Sequence, residues 1–282
     1  MQSPYCFVQL PSEEAAVRLV RRSILARAVY EVWGKGKTFP ETFEDVRKVS
    51  EHLWPQYKNT SFKFSVDSFQ GSRSTAEQRE LINSFRFLGF EGPIRMKNAE
   101  QDFWVCENWR LDAPTSEGPK EICLARWLGN GTRDVVNKYD LKKRKYICTT
   151  SMDAELALIT ANITLASSGK LFYDPFVGSG SFSVASAHFG ALAFGSDIDG
   201  RSIRGKGKVS VLSNFEQYKL LNNFGDNFVA DLTNTPLRNA RIFDGIVCDP
   251  PYGVREGLKV LGSRDLTKGK EIVFKYGKAH HM

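Results

Sequence analysis

The chain of 282 residues has no run of 18 apolar residues, so no membrane-spanning helix is expected. Its five cysteines (Cys6, Cys106, Cys123, Cys148, Cys248) are scattered and form no C-x-x-C pair. That pattern excludes a zinc ribbon and a disulfide framework, and it predicts reduced, buried thiols in a reducing compartment, with a cytoplasmic location expected. The four histidines make no H-E-x-x-H pattern, and no metal site is expected. The first residues lack a charged stretch followed by a long apolar one, so they do not read as a secretory signal. There is no internal repeat and no low-complexity tract. The stretch Gly200–Gly207 falls short of a phosphate-binding P-loop, because Gly207 stands where Ser or Thr is needed.

What is present is ordinary globular composition, 41% hydrophobic and 25% charged, with a net charge of +7. The excess of positive charge permits a nucleic-acid partner without requiring one. In the first half, Tyr5–Leu10 reads as a strand. A helix capped by Ser12 carries Ala16, Leu19, Val20 and Ile24 at helical spacing and is expected to end near Gly34. Residues 41–53 predict a second helix with Phe43, Val46, Val49 and Leu53 on one face. Ser61–Asp67 alternates as a half-buried strand. Ser74–Phe87 predicts a helix with Ser74 or Thr75 as its cap, and 103–107 and 121–125 are strands. A basic stretch follows that reads either as a solvated connector or as a strip in which Lys142, Lys143, Arg144 and Lys145 are candidate phosphate contacts, with Tyr139 and Tyr146 available for stacking.

The second half alternates: helix 151–166, strand 170–173, helix 182–189, strand 191–195, helix 200–213, strand 227–230 and strand 242–248. Such alternation predicts a parallel sheet with helical crossovers. Each strand ends in an acid-bearing turn. Asp174-Pro175-Phe176-Val177-Gly178-Ser179-Gly180 joins the first strand to a helix, and its glycines allow a ligand close to the backbone. Asp197 ends the second strand, where an acid is placed to bond ribose hydroxyls. Asp231 follows the third, where a carboxylate can receive an adenine amino group. The fourth ends at Asp249-Pro250-Pro251-Tyr252. All four ends lie at the carboxyl edge of one sheet, the edge at which open α/β sheets bind ligands.

This order resembles the class I S-adenosylmethionine-dependent methyltransferases that methylate amino groups. D-P-F-V-G-S-G is similar to their first motif and D-P-P-Y to their fourth. The resemblance implies that the Asp249 carboxylate and the Pro250 carbonyl accept the two protons of an exocyclic amine. Pro251 stiffens the turn, Tyr252 stacks on the base, and methyl transfer depends on positioning. D-P-P-Y alone fits adenine N6, cytosine N4 or guanine N2. The longer strings Cys148–Leu156, Tyr173–Ser181, His188–Gly190, Gly195–Arg201 and Asp249–Glu256, with Arg86–Gly92 and Tyr139–Arg144, together resemble the eukaryotic tRNA (guanine(10)-N2)-methyltransferase catalytic subunit.

That resemblance implies an α+β first half, a ferredoxin-like remnant (1–40) plus an RNA-binding THUMP-like domain (41–130). A basic linker (131–149) leads to a Rossmann-like class I methyltransferase domain (150–264) with sheet strands 1–4 present and 5–7 missing, then a divergent tail (265–282). The chain is thus expected to be truncated at both ends. S-adenosylmethionine is the implied cofactor, held by Thr150, Ser151, Asp174, Phe176, Gly178, Gly180, Asp197 and Asp231. Implied partners are tRNA and a small zinc-binding activator protein that pairs with the edge strand near Phe228. Two further readings are a DNA adenine-N6 methyltransferase and a non-catalytic fragment that binds tRNA or a partner. His188 is expected to be structural.

Overall fold

The computed structural model describes residues 3–110, 118–251, 259–265 and 270–275. The chain divides into two compact units, Met1–Thr132 and Arg133–Met282.

In the first unit, helix α1 (Glu13–Arg22) starts where Ser12 Oγ accepts the Ala15 N–H at 3.2 Å, with Glu13 and Glu14 in its first turn. The helix stops at Arg22, well short of Gly34, and Ala28–Gly36 is strand β1. Val29, Tyr30, Val32 and Trp33 are β-branched or aromatic, and they pack better on a pleated surface than on a helix. The strand expected at Tyr5–Leu10 is likewise absent. Tyr5 instead packs beside buried Cys106, Cys123 and Ala125, and its hydroxyl donates to the Asp67 carbonyl at 3.4 Å.

Helix α2 (Phe39–Ser50) buries Thr42, Val46 and Ser50, whereas Val49, expected on the inner face, is exposed. A short helix α3 (Trp54–Tyr57) leads to strand β2 (Phe62–Phe69). Helix α4 (Thr75–Ser84) opens with a capping box: Ser74 and Glu77 each bond the other's backbone N–H. Strands β3 (Gln101–Asn108) and β4 (Glu121–Asn130) complete a sheet in the order β1-β4-β3-β2. β2 and β3 are parallel and the other two pairings antiparallel. This one sheet runs across the boundary expected at residue 40, because β1 pairs with β4.

The core of this unit is aromatic. Trp33 meets Phe103 edge-on at 4.8 Å, Phe43 meets Phe85 at 5.1 Å, and Phe64 stacks on Phe103 at 5.3 Å. At the end of the sheet, fully buried Glu107 accepts two nitrogens of Arg73 (2.6–2.9 Å), Ser68 Oγ at 2.7 Å and Trp109 Nε1 at 3.3 Å. The two-pronged guanidinium contact meets the carboxylate's bonding capacity, and removing the acid leaves a largely buried cation.

In the second unit, α5 (Val135–Tyr139) and α6 (Ala154–Ile163) precede strand β5 (Leu171–Asp174). Helix α7 (Ser181–His188) and strand β6 (Leu192–Asp197) follow. The helix expected over 200–213 is two helices, α8 (Gly200–Arg204) and α9 (Val211–Tyr218). Gly205, at φ +73° and ψ −152°, breaks the run, and a Cβ there would lie 1.9 Å from the Val209 carbonyl. Strand β7 (Phe224–Val229) and the two-residue strand β8 (Gly245–Ile246) complete a parallel sheet in the order β7-β6-β5-β8. The strand expected over 242–248 has this short ladder, extended by bonds from Asp244 N to Leu171 O and from Val247 N to Tyr173 O. A separate antiparallel pair, β9 (Lys259–Asp265) and β10 (Lys270–Lys275), lies beyond it.

Every residue of α7 from Ser181 to Ala187 is buried, which its small Ser and Ala side chains allow. Tyr139 lies edge-on to His188 and Tyr218, and its hydroxyl meets His188 Nδ1 at 3.1 Å. His188, expected to be structural, also packs edge-on to Phe189. Residues 135–146 are part of this unit's body.

Glu107→Ala is expected to destabilise the first unit by about 3 kcal/mol. Lys58→Ala, which removes an exposed ion pair with Glu91, is expected to change stability by less than about 1 kcal/mol. Urea unfolding of the two variants, followed by tryptophan fluorescence, checks the difference.

Candidate active site

The carboxyl ends of β5, β6, β7 and β8 surround one cleft of about 640 Å³. Of the residues predicted from sequence, Thr150, Ser151, Asp174, Phe176, Gly178, Asp197, Asp231, Asp249, Pro250 and Pro251 line it. Gly180 does not; it caps α7 at φ +82°, where a Cβ would sit 2.6 Å from Val211 Cγ1. Its glycine is required by backbone shape and by the close approach of α9. Tyr252 lies outside the described residues.

One local device orients most of the acids: a carboxylate oxygen accepts the N–H two residues on. Asp174 takes Phe176 N at 2.9 Å, Asp197 takes Asp199 N at 2.8 Å, and Asp231 takes Thr233 N at 2.9 Å. Such Asx turns cost little, because donor and acceptor are close in sequence. Asp197 uses its other oxygen for Gly178 N at 3.0 Å, which ties the end of β6 to the glycine loop after β5. Asp199 caps α8 and holds Arg201 at 2.6 Å.

Asp174 is nearly fully buried at the foot of the cleft. Burial pushes its carboxyl up to about 7, and the neighbouring carboxylates of Asp197 and Asp249 push the same way. The Phe176 N–H opposes them. Burial likewise raises the Cys248 thiol, beside Asp174 and Asp249.

The opposite wall is held in part by Asn214, which motif reading missed, together with the predicted Ser151. Asn214, fully buried on α9, donates to Tyr146 O at 2.8 Å and Ser179 O at 3.1 Å, and accepts Tyr146 N at 2.9 Å. Ser151 Oγ lies 2.6 Å from Ser179 Oγ and accepts Cys148 N at 2.8 Å. One amide thus clamps α9, the 146–151 segment and the glycine loop together. Its only sequence signal is an asparagine on the apolar face of a helix. The basic stretch also needs correction. Arg144 is buried, donating to Ser181 Oγ at 2.7 Å and to Tyr139 O, and Tyr139 and Tyr146 are buried with it. These three residues brace the second unit and do not face a solvent-borne partner. Lys142, Lys143 and Lys145 are exposed.

Comparison with known proteins follows the same division. Residues 1–133 match the Tmrp11 THUMP N-terminal domain, and residues 142–268 match the RMKL-like methyltransferase domain. The tRNA (guanine(10)-N(2))-methyltransferase of Schizosaccharomyces pombe is 44% identical over 271 residues, 96% of this chain and 57% of that protein. Its Saccharomyces cerevisiae counterpart is 44% identical over 280 residues, 95% of this chain and 64% of that protein. The chain thus pairs a match to a THUMP N-terminal domain with a match to a methyltransferase domain. A Xenopus laevis relative, tRNA (guanine(10)-N(2))-methyltransferase TRMT11, is 37% identical over 292 residues, 96% of this chain and 59% of that protein. The chain therefore spans roughly three fifths of its relatives' length. Among solved structures, TrmN from Thermus thermophilus is similar at a TM-score of 0.40 and 17% identity, covering 90% of this chain and 69% of that one.

The raised Asp174 pKa sets a pH dependence for this protein. In the unfolded chain an aspartate titrates near 4, so between about pH 4 and pH 7 only the folded state keeps the proton. The resulting stabilisation is full below about pH 4 and is lost as pH rises through about 7. Urea unfolding of the second unit at pH 5 and pH 8 is expected to show a loss in the wild type, on the order of 2–4 kcal/mol, that Asp174→Asn removes. Equal pH dependence in both proteins would release Asp174 from this assignment.

Proposed function

We propose that this chain holds tRNA and carries the site that moves a methyl group from S-adenosylmethionine to the exocyclic N2 of guanosine 10. One observation carries the reading. Asp174, Asp197, Asp231 and the Asp249-Pro250-Pro251 turn converge on a single cleft, in a chain related along almost its whole length to proteins of that name.

The cleft fits such a cofactor by its chemistry. Its acids complement the cationic sulfonium and ammonium groups, and Asp197, whose oxygens retain lone pairs after the turn bonds, suits ribose hydroxyls. Asp231 suits the adenine amine, and Thr150 and Ser151 the methionine end. When bound, S-adenosylmethionine supplies the activated methyl group. The chain supplies aim. The Asp249 carboxylate and the Pro250 carbonyl accept the two N–H groups of the guanine amine, which draws its lone pair out of conjugation. Pro251 brings no N–H to compete for those acceptors. Methylation leaves an extra proton on nitrogen, and Asp249 is its acceptor. Tyr252 as a stacking surface rests on the resemblance alone. Guanosine 10 must leave its stack to reach a cleft of this kind.

The proposed partner is the small zinc-binding activator, which would add a strand to β7. One feature supports this: β7 is the edge of its sheet among the described strands, where an added strand can pair with its main chain. Lys142, Lys143 and Lys145 are proposed phosphate contacts.

With the activator co-expressed and labelled S-adenosylmethionine supplied, label is expected on tRNA carrying guanosine 10 and not on tRNA lacking it. Asp249→Asn is expected to lower turnover by at least about 100-fold while leaving tRNA affinity within about twofold. Label on DNA in place of tRNA would overturn the reading, and tRNA binding without cofactor binding would make the chain a non-catalytic RNA binder.

A further inference from the structure

A buried cation in the second unit lacks a counter-ion. Arg144 is 6% exposed, and among the described residues it forms no ion pair. Arg126 of the first unit, equally buried, holds Glu13 at 2.7 Å and Glu31 at 2.8 Å. Arg144 has only neutral partners, Ser181 Oγ at 2.7 Å and Tyr139 O at 3.4 Å, and its Nε is buried without one. A guanidinium does not shed its proton in a protein, so the charge stays and its desolvation costs free energy.

Ser181 carries that charge to the cleft. It lines the cleft, although only 5% exposed, and it is the first residue of α7. A serine oxygen accepts through its lone pairs and donates one proton, whereas a guanidinium N–H can only donate. With Arg144 on a lone pair, the Ser181 proton is left over, and no acceptor for it stands among the described residues. α7 opens on Gly180 with no side-chain cap, so no side chain of its own occupies its first-turn N–H groups either.

The lining of the cleft is one-sided. Asp174, Asp197, Asp199, Asp231 and Asp249 line it, and among the described residues no lysine, arginine or histidine does. Arg201, outside the lining, is spent on Asp199. Such a wall attracts an ammonium and repels a carboxylate. The end of an amino acid carries both groups. Its carboxylate needs a place where a donor backed by positive charge meets the cleft, and Ser181 is that place.

We propose that Ser181, backed by Arg144, is a carboxylate subsite of the cleft. Arg144 is too deep to touch a ligand; it is a positioning residue that sets the preference for ligands keeping an amino-acid carboxylate. This rests on the reading of the cleft as an S-adenosylmethionine site and adds the residues that select the ligand's negative end.

The test is calorimetry on the full chain, co-expressed with the activator, with S-adenosylhomocysteine and its decarboxylated analogue. The acids alone favour the decarboxylated compound, which has lost its negative charge. The wild type is expected to prefer the carboxylated compound by at least about tenfold, the reach of one charge-assisted hydrogen bond. Ser181→Ala and Arg144→Met are each expected to bring the two affinities within about threefold, by weakening the carboxylated compound alone. Arg144→Lys keeps the charge and is expected to keep a preference. A purely structural role would lower both affinities together and leave their ratio at the wild-type value, and that result would overturn the proposal. If Arg144→Met does not fold, Ser181→Ala decides alone, since it leaves the guanidinium and its bond to Tyr139 in place. Equal wild-type affinities would overturn the proposal and leave the cofactor reading standing. Binding of neither compound would overturn the cofactor reading and this subsite with it.

Discussion

Parallel strands all finish at the same edge, and the second unit's site follows from that constraint. Asp174, Asp197, Asp231 and Asp249 are brought together because β5, β6, β7 and β8 run in one direction. Proximity of like charges is unfavourable, and the chain answers it locally. At Asp174, Asp197 and Asp231 the N–H two residues on occupies one oxygen, and Asp174, the most buried, is driven toward its neutral form. The site is acidic in composition, but its charge is lower than a count of carboxylates suggests.

What the sequence made legible is what local chemistry decides. A strand ending in Asp-Pro and the glycine-bearing turn into a helix both depend on residues close in the chain, and these were readable. The capping box at Ser74 and Glu77 was readable for the same reason. Misreadings arose where tertiary contacts outweighed local pattern. Ala28–Gly36 continued a helical spacing that its own β-branched and aromatic residues, paired with β4, override. Arg144 sits in a run of lysines and looked like surface, yet Ser181 and the Tyr139 carbonyl draw it inside. Asn214 could not be found by motif, since its two partners, Ser179 and Tyr146, lie 35 and 68 residues away.

The two units satisfy buried charge and polarity by different means. The first places a full ion pair, Arg73 with Glu107, at the rim of an aromatic core and saturates the acid with four donors. The second uses neutral groups: an amide on α9, hydroxyls on α7 and in the loops, and a carboxyl raised toward neutrality. Neutral donors and acceptors hold a wall in place without imposing a strong field of their own, which leaves the field in the cleft to the acids that face it.

The shortness of β8 gives the site a thermodynamic character. Two residue pairs and two flanking bonds attach this strand to β5, while the turn it carries supplies Asp249, Pro250 and Pro251. A ligand that touched both Asp174 on β5 and Asp249 beyond β8 would span that seam and, by binding only the folded edge, would stabilise it by mass action.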